Sequence, residues 1–255
     1  MPIVRGGRLR KRWRYVGVYG SELMFCAARV QVGPFRQSFW VLWDRESRVR
    51  RAHTRMPAGG EVEMDGPDVA VRARGLSARL RLGDGVPVEA VCASGERGYG
   101  WTRKRAGVPV TGEIEADGRR RKVEAKAFED ESAGYHQRHT SWRWSAGVGR
   151  AADGKAVGWN LVEGINDPPQ RSERGIWLEG VPHEPAPVAF SGLEAIQFAD
   201  GARLAFDTES ERARNDNLLI FRSRYRHLFG SFSGSLEGVE LGEAFGVMEE
   251  HEAVW

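Results

Sequence analysis

Apolar and polar positions alternate with a period near two along most of this chain, and the alternating runs are short. They cover Trp13 to Tyr19, Leu23 to Val32, Ser38 to Trp43, Val69 to Arg74, Leu76 to Leu82, Val86 to Ala93, Val108 to Glu115 and Arg121 to Ala127. They continue with Thr140 to Gly149, Lys155 to Val162, Gly175 to Leu178, Pro187 to Phe190, Arg203 to Asp207, Leu218 to Arg222 and Val239 to Met248. A period of two, with β-branched and aromatic residues, predicts strands. Between the runs stand Asp65-Gly66, Asp84-Gly85, Asp117-Gly118, Asp153-Gly154 and Asp200-Gly201. Asp-Gly suits a type I′ hairpin, where both central residues need positive φ. Short strands with regular turns predict an all-β meander folded as a sandwich or barrel. The one helical signal, Thr208 to Asn217, has a capping-box start but no apolar stripe, and reads as a long turn or a single loose helical turn.

A composition change near Gly118 to Ala127 divides the chain into 1–122 and 123–255. Each half, of ~120 to 130 residues, can supply the eight or so strands of a small closed barrel. No Pro/Ser linker separates them, so the halves are expected to pack tightly.

The bulk numbers exclude more than they select. Hydrophobic content is 41% and charge content 29%, as in ordinary globular proteins. The net charge of +3 is small, and acids are scattered among the Arg clusters. A nucleic-acid-binding barrel would need exposed aromatics on one basic face, so no nucleic-acid partner is expected. Cys26 and Cys92 lack metal spacing and read as buried reduced thiols of a cytoplasmic protein. No apolar stretch is long enough for a membrane-spanning helix, and the basic N-terminus lacks the apolar core of a secretory signal, so no integral membrane insertion is expected. The phosphate-loop, dinucleotide, zincin and hydrolase-elbow motifs are missing.

The chemistry concentrates in three segments of the second half: 134–144, 159–177 and 246–255. In the first, His136 and His139 are three apart with no third metal ligand at suitable spacing, so no metal is expected. Trp142 and Trp144 share a strand face, as core or as cavity wall. In the second, Asn160 and Glu173 are the polar candidates, flanked by Trp159 and Trp177, and Asn166-Asp167-Pro168-Pro169 must be a rigid turn. In the third, which ends at Trp255, an extended chain puts Glu249 and His251 on one face and Glu250 and Glu252 on the other. A carboxyl aimed into an apolar cavity has its pKa raised by desolvation and can act as an acid near neutral pH.

Lys11-Arg12-Trp13-Arg14-Tyr15-Val16-Gly17-Val18-Tyr19, Ser38-Phe39-Trp40-Val41-Leu42-Trp43-Asp44-Arg45, Trp142-Arg143-Trp144, Trp159-Asn160-Leu161, Ser172-Glu173 and Gly246-Val247-Met248-Glu249 together resemble an uncharacterised bacterial family, a numbered domain of unknown function common in actinobacteria. That family is remotely similar to lipocalin-like (calycin-like) two-barrel proteins, among them carotenoid hydratases and tocopherol cyclases. The resemblance implies two antiparallel barrels or half-barrels with an apolar cavity near their junction.

The expected function is binding of an apolar small molecule, polyene- or isoprenoid-like, in a β-barrel cavity. Cofactor-free acid–base catalysis (hydration, cyclisation or isomerisation) and non-catalytic carriage or sensing both stay open. The expected catalytic residues are Glu249, His251 and Glu173. The expected ligand-binding residues are His136, Trp142, Trp144, Trp159, Asn160, Trp177 and Arg224.

Overall fold

A computed structural model of the chain describes residues 1–57, 59–218 and 221–254, and of Leu218 and Phe221 the backbone alone. All regular structure among them is antiparallel β. A small hairpin, β1 (Val4–Arg5) and β2 (Arg8–Leu9), comes first. The first sheet comprises β3 (Lys11–Tyr19), β4 (Leu23–Val32), β5 (Phe35–Asp44), β6 (Val49–Arg55), β7 (Val62–Asp65), β8 (Asp68–Ala73), β9 (Leu76–Leu82), β10 (Val88–Ser94), β11 (Gly98–Ala116) and β12 (Arg119–Gly134). Its edge-to-edge order is β6-β5-β4-β3-β12-β11-β9-β8-β7, with β10 also paired to β11. The second sheet comprises β13 (His139–Ala151), β14 (Ala156–Glu163), β15 (Gly175–Leu178), β16 (Val181–His183), β17 (Ala189–Ser191), β18 (Ala195–Gln197), β19 (Arg203–Leu218), β20 (Phe221–Leu236) and β21 (Val239–Val254). Its order is β16-β15-β14-β13-β21-β20-β19-β18-β17. The sheets change hands between Gly134 and His139, so the division expected at 122/123 falls inside β12, whose partners β3 and β11 both belong to the first sheet.

Each sheet curls so that its two ends share one core. Phe25, Trp40 and Leu42 from one end of the first sheet pack with Val69, Val71 and Leu80 from the other. Trp159, Leu161, Phe190, Phe206 and Met248 do the same in the second. Both interiors are filled with side chains, as in small barrels. A third core lies between the sheets, where Tyr15, Tyr19, Met24, Val41 and Phe128 meet Trp144, Ala146, Phe229 and Val247.

This layering explains the hydrophobic pattern. β9 alternates buried and exposed positions because one of its faces meets water. Leu23 to Ala28, Phe39 to Trp43 and Ala244 to Met248 are buried at successive positions. Their alternate residues serve two cores: Phe25 and Ala27 point into the first barrel, while Met24, Cys26 and Ala28 point at the second sheet. Close approach of the sheets requires small residues. A Cβ on Gly158 would lie 2.8 Å from Ala106 Cβ across the seam. At Gly107 a positive φ of 71° accompanies the bulge that shifts the β11–β12 register.

Two local expectations are corrected, and a third falls partly outside the described residues. Thr208 to Asn217 is neither turn nor helix: it lies in strand β19, paired with β20 across a register shift at Glu209. Long-range pairing overrides a weak capping signal there. Of the five Asp-Gly pairs, only Asp117-Gly118 has positive φ at both residues (51° and 77°), as type I′ demands. Asp84-Gly85 lies in an extended link to β10, which pairs with β11 and not with β9. The strand expected at 218–222 includes residues 219 and 220, which lie outside the described residues; Leu218 pairs with Phe221 across them. Trp255 also lies outside them.

Candidate functional site

The intersheet layer is not filled throughout. Between the strands of the first sheet and the face of β13, β19, β20 and β21 lies a cavity of about 350 Å³ with a mostly apolar wall. The hollow lies in the seam between the barrels, at the junction the resemblance implied, while the barrel interiors hold packed cores.

Glu249 is placed here by strand register. On β21 the alternation sends Met248 into the second barrel and Val247, Glu249 and His251 toward the seam. The Glu249 carboxylate accepts a hydrogen bond from Trp142 Nε1 at 2.9 Å and another from the Tyr225 hydroxyl. Burial pushes its pKa up to about 7 despite these two donors. His251 lines the same wall. Its ring lies 4.4 Å from that of Trp142 and 5.1 Å from that of Tyr225, and its Nε2 is 2.8 Å from Ser223 Oγ. Burial pulls its pKa down to about 3, so at neutral pH the ring is uncharged.

Glu173 enters from the loop between β14 and β15. That loop is stiff. Asn166 sits at φ 51°, a conformation Asn tolerates better than most residues. Asp167 accepts the Gly164 N–H at 2.8 Å, and buried Arg174 donates to the Pro168 carbonyl at 2.9 Å. Glu173 N donates to the Asn166 carbonyl at 3.1 Å. The Glu173 carboxyl accepts from Asn166 Nδ2 at 2.9 Å. Burial raises its pKa, opposed by Lys104 and reinforced by Asp130.

Lys104 and Asp130, from the first sheet, complete this polar cluster. Lys104 Nζ is 2.6 Å from Asp130 and 3.5 Å from Glu173, with the ammonium almost wholly buried. Burial alone would pull the lysine pKa down, but Asp130 and Glu173 together hold it raised. Asp130 also accepts from Trp13 Nε1 at 2.9 Å and Ser132 Oγ at 3.0 Å.

Of the other expected ligand contacts, Trp142 and Trp144 line the cavity. Asn160 does not; it acts one layer back, accepting from Trp144 Nε1 at 2.7 Å and donating to the Glu173 carbonyl at 2.7 Å. His136 stacks behind Trp13 at 5.5 Å, outside the lining. Trp159 fills the second barrel, edge-on to Phe232 and bonded to Ser145 Oγ at 3.0 Å. Trp177 packs in the seam away from the cavity and donates to the Val86 carbonyl at 2.7 Å. Arg224 is exposed, because Ser223, Tyr225 and His227 take the seam-facing positions of β20 and Arg224 takes the other face.

Sequence reasoning missed Lys104, Asp130 and Arg212, whereas Tyr225, which the sequence offers with Arg224 and His227 as a partner for the closing acids, does meet Glu249. One signal was available for Lys104. It occupies an inward position of a cleanly alternating strand, between Thr102 and Ala106, and a charge at an inward position asks for a partner.

No curated protein matches the chain. Among solved structures, kievitone hydratase from Nectria haematococca superposes with a TM-score of 0.61 at 8% identity, covering 94% of this chain and 88% of that one. A Nitrosomonas europaea protein bearing the name AttH superposes with a TM-score of 0.57 at 16% identity, covering 98% of each chain. At these identities the likeness establishes the fold, a lipocalin-like pair of antiparallel half-barrels. The family described as domain of unknown function DUF2804 matches residues 60–255, most of the chain, and the protein belongs to it.

Proposed function

We propose that the protein binds a mostly apolar small molecule in the seam cavity and that Glu249, in its protonated form, delivers a proton to it. The observation that carries this reading is a buried carboxyl, titrating about 7, on the wall of a largely apolar hollow of about 350 Å³. That volume is at the lower end of small-molecule sites. An acid that stays protonated near neutral pH can protonate a carbon–carbon double bond or an enol. The π faces of Trp142, Trp144 and Tyr15 then shield the cation that forms. The Glu249 carboxylate left behind takes back one proton. Taken from the adjacent carbon, it completes an isomerisation or closes a cyclisation; taken from an attacking water, it completes a hydration. No cofactor is required for any of these steps. One protein of the same fold is by name a hydratase, and water addition is within this repertoire. Trp142 and Tyr225 hold the carboxyl, neutral His251 packs against both of their rings, and the Lys104–Asp130–Glu173 cluster supplies a second polar pole for orienting the ligand.

The test begins with native mass spectrometry of protein purified from its source, to identify a retained hydrophobic compound. Glu249→Gln should still bind that compound but not convert it. Conversion at the native rate by the variant would overturn the acid's role. Binding without conversion by the native protein would leave a carrier.

A further inference from the structure

Among the described residues four cations face the cavity, and apart from exposed Arg36 they are buried or half-buried and not all answered. Lys104 is held by Asp130 and Glu173, and Arg214 by Asp216 at 2.6 Å. Arg212, from the same face of β19, is 6% exposed and pairs with no carboxylate among the described residues. Its guanidinium donates to Thr54 Oγ1 at 2.5 Å and lies over two rings, 4.6 Å from the centroid of Phe39 and 5.5 Å from that of Tyr225. These contacts orient the fork and, among the described residues, leave most of its donors uncommitted. A buried charge without a counterion is costly, and proteins tolerate one where a ligand brings the opposite charge.

We infer that the ligand is an apolar monocarboxylate whose carboxylate docks on Arg212 while its hydrocarbon body fills the cavity. This rests on the small-molecule reading above and narrows it. A guanidinium offers a carboxylate two parallel hydrogen bonds, which a hydroxyl or carbonyl head group cannot use. Among the described residues one buried cation of the lining is uncommitted, and it matches one negative charge; a phosphate dianion would call for more. Glu249 is not the missing counterion, because its own carboxyl is satisfied by Trp142 and Tyr225 and is held toward the neutral form. Tyr225 touches both groups, with its ring under Arg212 and its hydroxyl on Glu249, so a ligand anchored at the first lies along a wall leading to the second.

Tryptophan fluorescence titration with decanoate and with decanol, at a pH where the acid is ionised, separates the possibilities. The native protein should bind decanoate about tenfold or more tightly than decanol. Arg212→Met should lose that preference, leaving decanol binding unchanged, and Arg212→Lys should retain part of it. Equal affinity of the native protein for acid and alcohol overturns the inference while sparing the cavity, and needs no variant to fold. An undiminished preference for the acid in Arg212→Met also overturns it. Binding of neither probe removes the small-molecule reading together with this one.

Discussion

Two kinds of titrating side chain share this seam, and they pull stability in opposite directions with pH. Glu249 is raised in the fold to about 7, against about 4.3 in an unfolded chain. Between those values the folded protein holds the extra proton, so its stability falls as pH rises through the interval. The loss is on the order of 3 kcal/mol. Glu249→Gln should abolish it, which urea unfolding of both proteins at pH 5 and pH 8 would show. The same titration sets activity: turnover of the proposed kind should decline as pH rises through about 7. His136, His227 and His251 behave oppositely, each pulled down by burial to about 3. The unfolded chain binds their protons first, near pH 6.5, so the stability they contribute is complete above that value and is lost as pH falls toward 3. Acid unfolding should therefore begin near pH 6 and release all three imidazoles together, visible as His proton shifts in NMR.

At the level of strands, much was legible and the rest was not, for definite reasons. The all-β class and the shared face of Glu249 and His251 follow from a period of two, which fixes side-chain direction whatever the partner strand. Trp159 and Trp177, expected at the cavity, lie in the second barrel and in the seam beside Val86. A strand buried on both faces offers each side chain two destinations, and alternation gives the parity without saying which parity faces the hollow. Lys104 and Asp130 were missed because their meeting depends on β11–β12 pairing and on a loop from the other sheet. That cluster gives a sharp expectation. Lys104→Met leaves Asp130 and Glu173 facing each other in a buried site, and should cost about 3–5 kcal/mol, read by chemical unfolding. Glu173→Gln, which keeps the Asn166 contact and removes a charge already disfavoured, should cost far less. Phe229→Ala, a truncation in the seam core, should cost about 3–5 kcal/mol and, by opening space beside His227, weaken the depression of its pKa.

For the molecule as a whole, the two sheets are joined by ordinary packing and by a few long-range bonds: Arg45 with Glu209 at 2.6 Å, Trp43 Nε1 to the same carboxylate at 3.0 Å, and Trp177 to Val86. Gly158 sets how near they come. Gly158→Val should wedge the seam open and loosen ligand binding more than it loosens either barrel, detectable as faster amide exchange confined to strands that face the seam. The unequal roles of the two halves also follow. The second sheet supplies the acid and the guanidinium, and the first supplies the lysine that steadies Glu173. Because the hollow belongs to neither half alone, a polypeptide severed between Gly134 and His139 would yield fragments that are each oily on one flank and without a cavity. The hollow would re-form only on reunion, and every alteration of the contact plane would be at once a change in cohesion and a change in its shape.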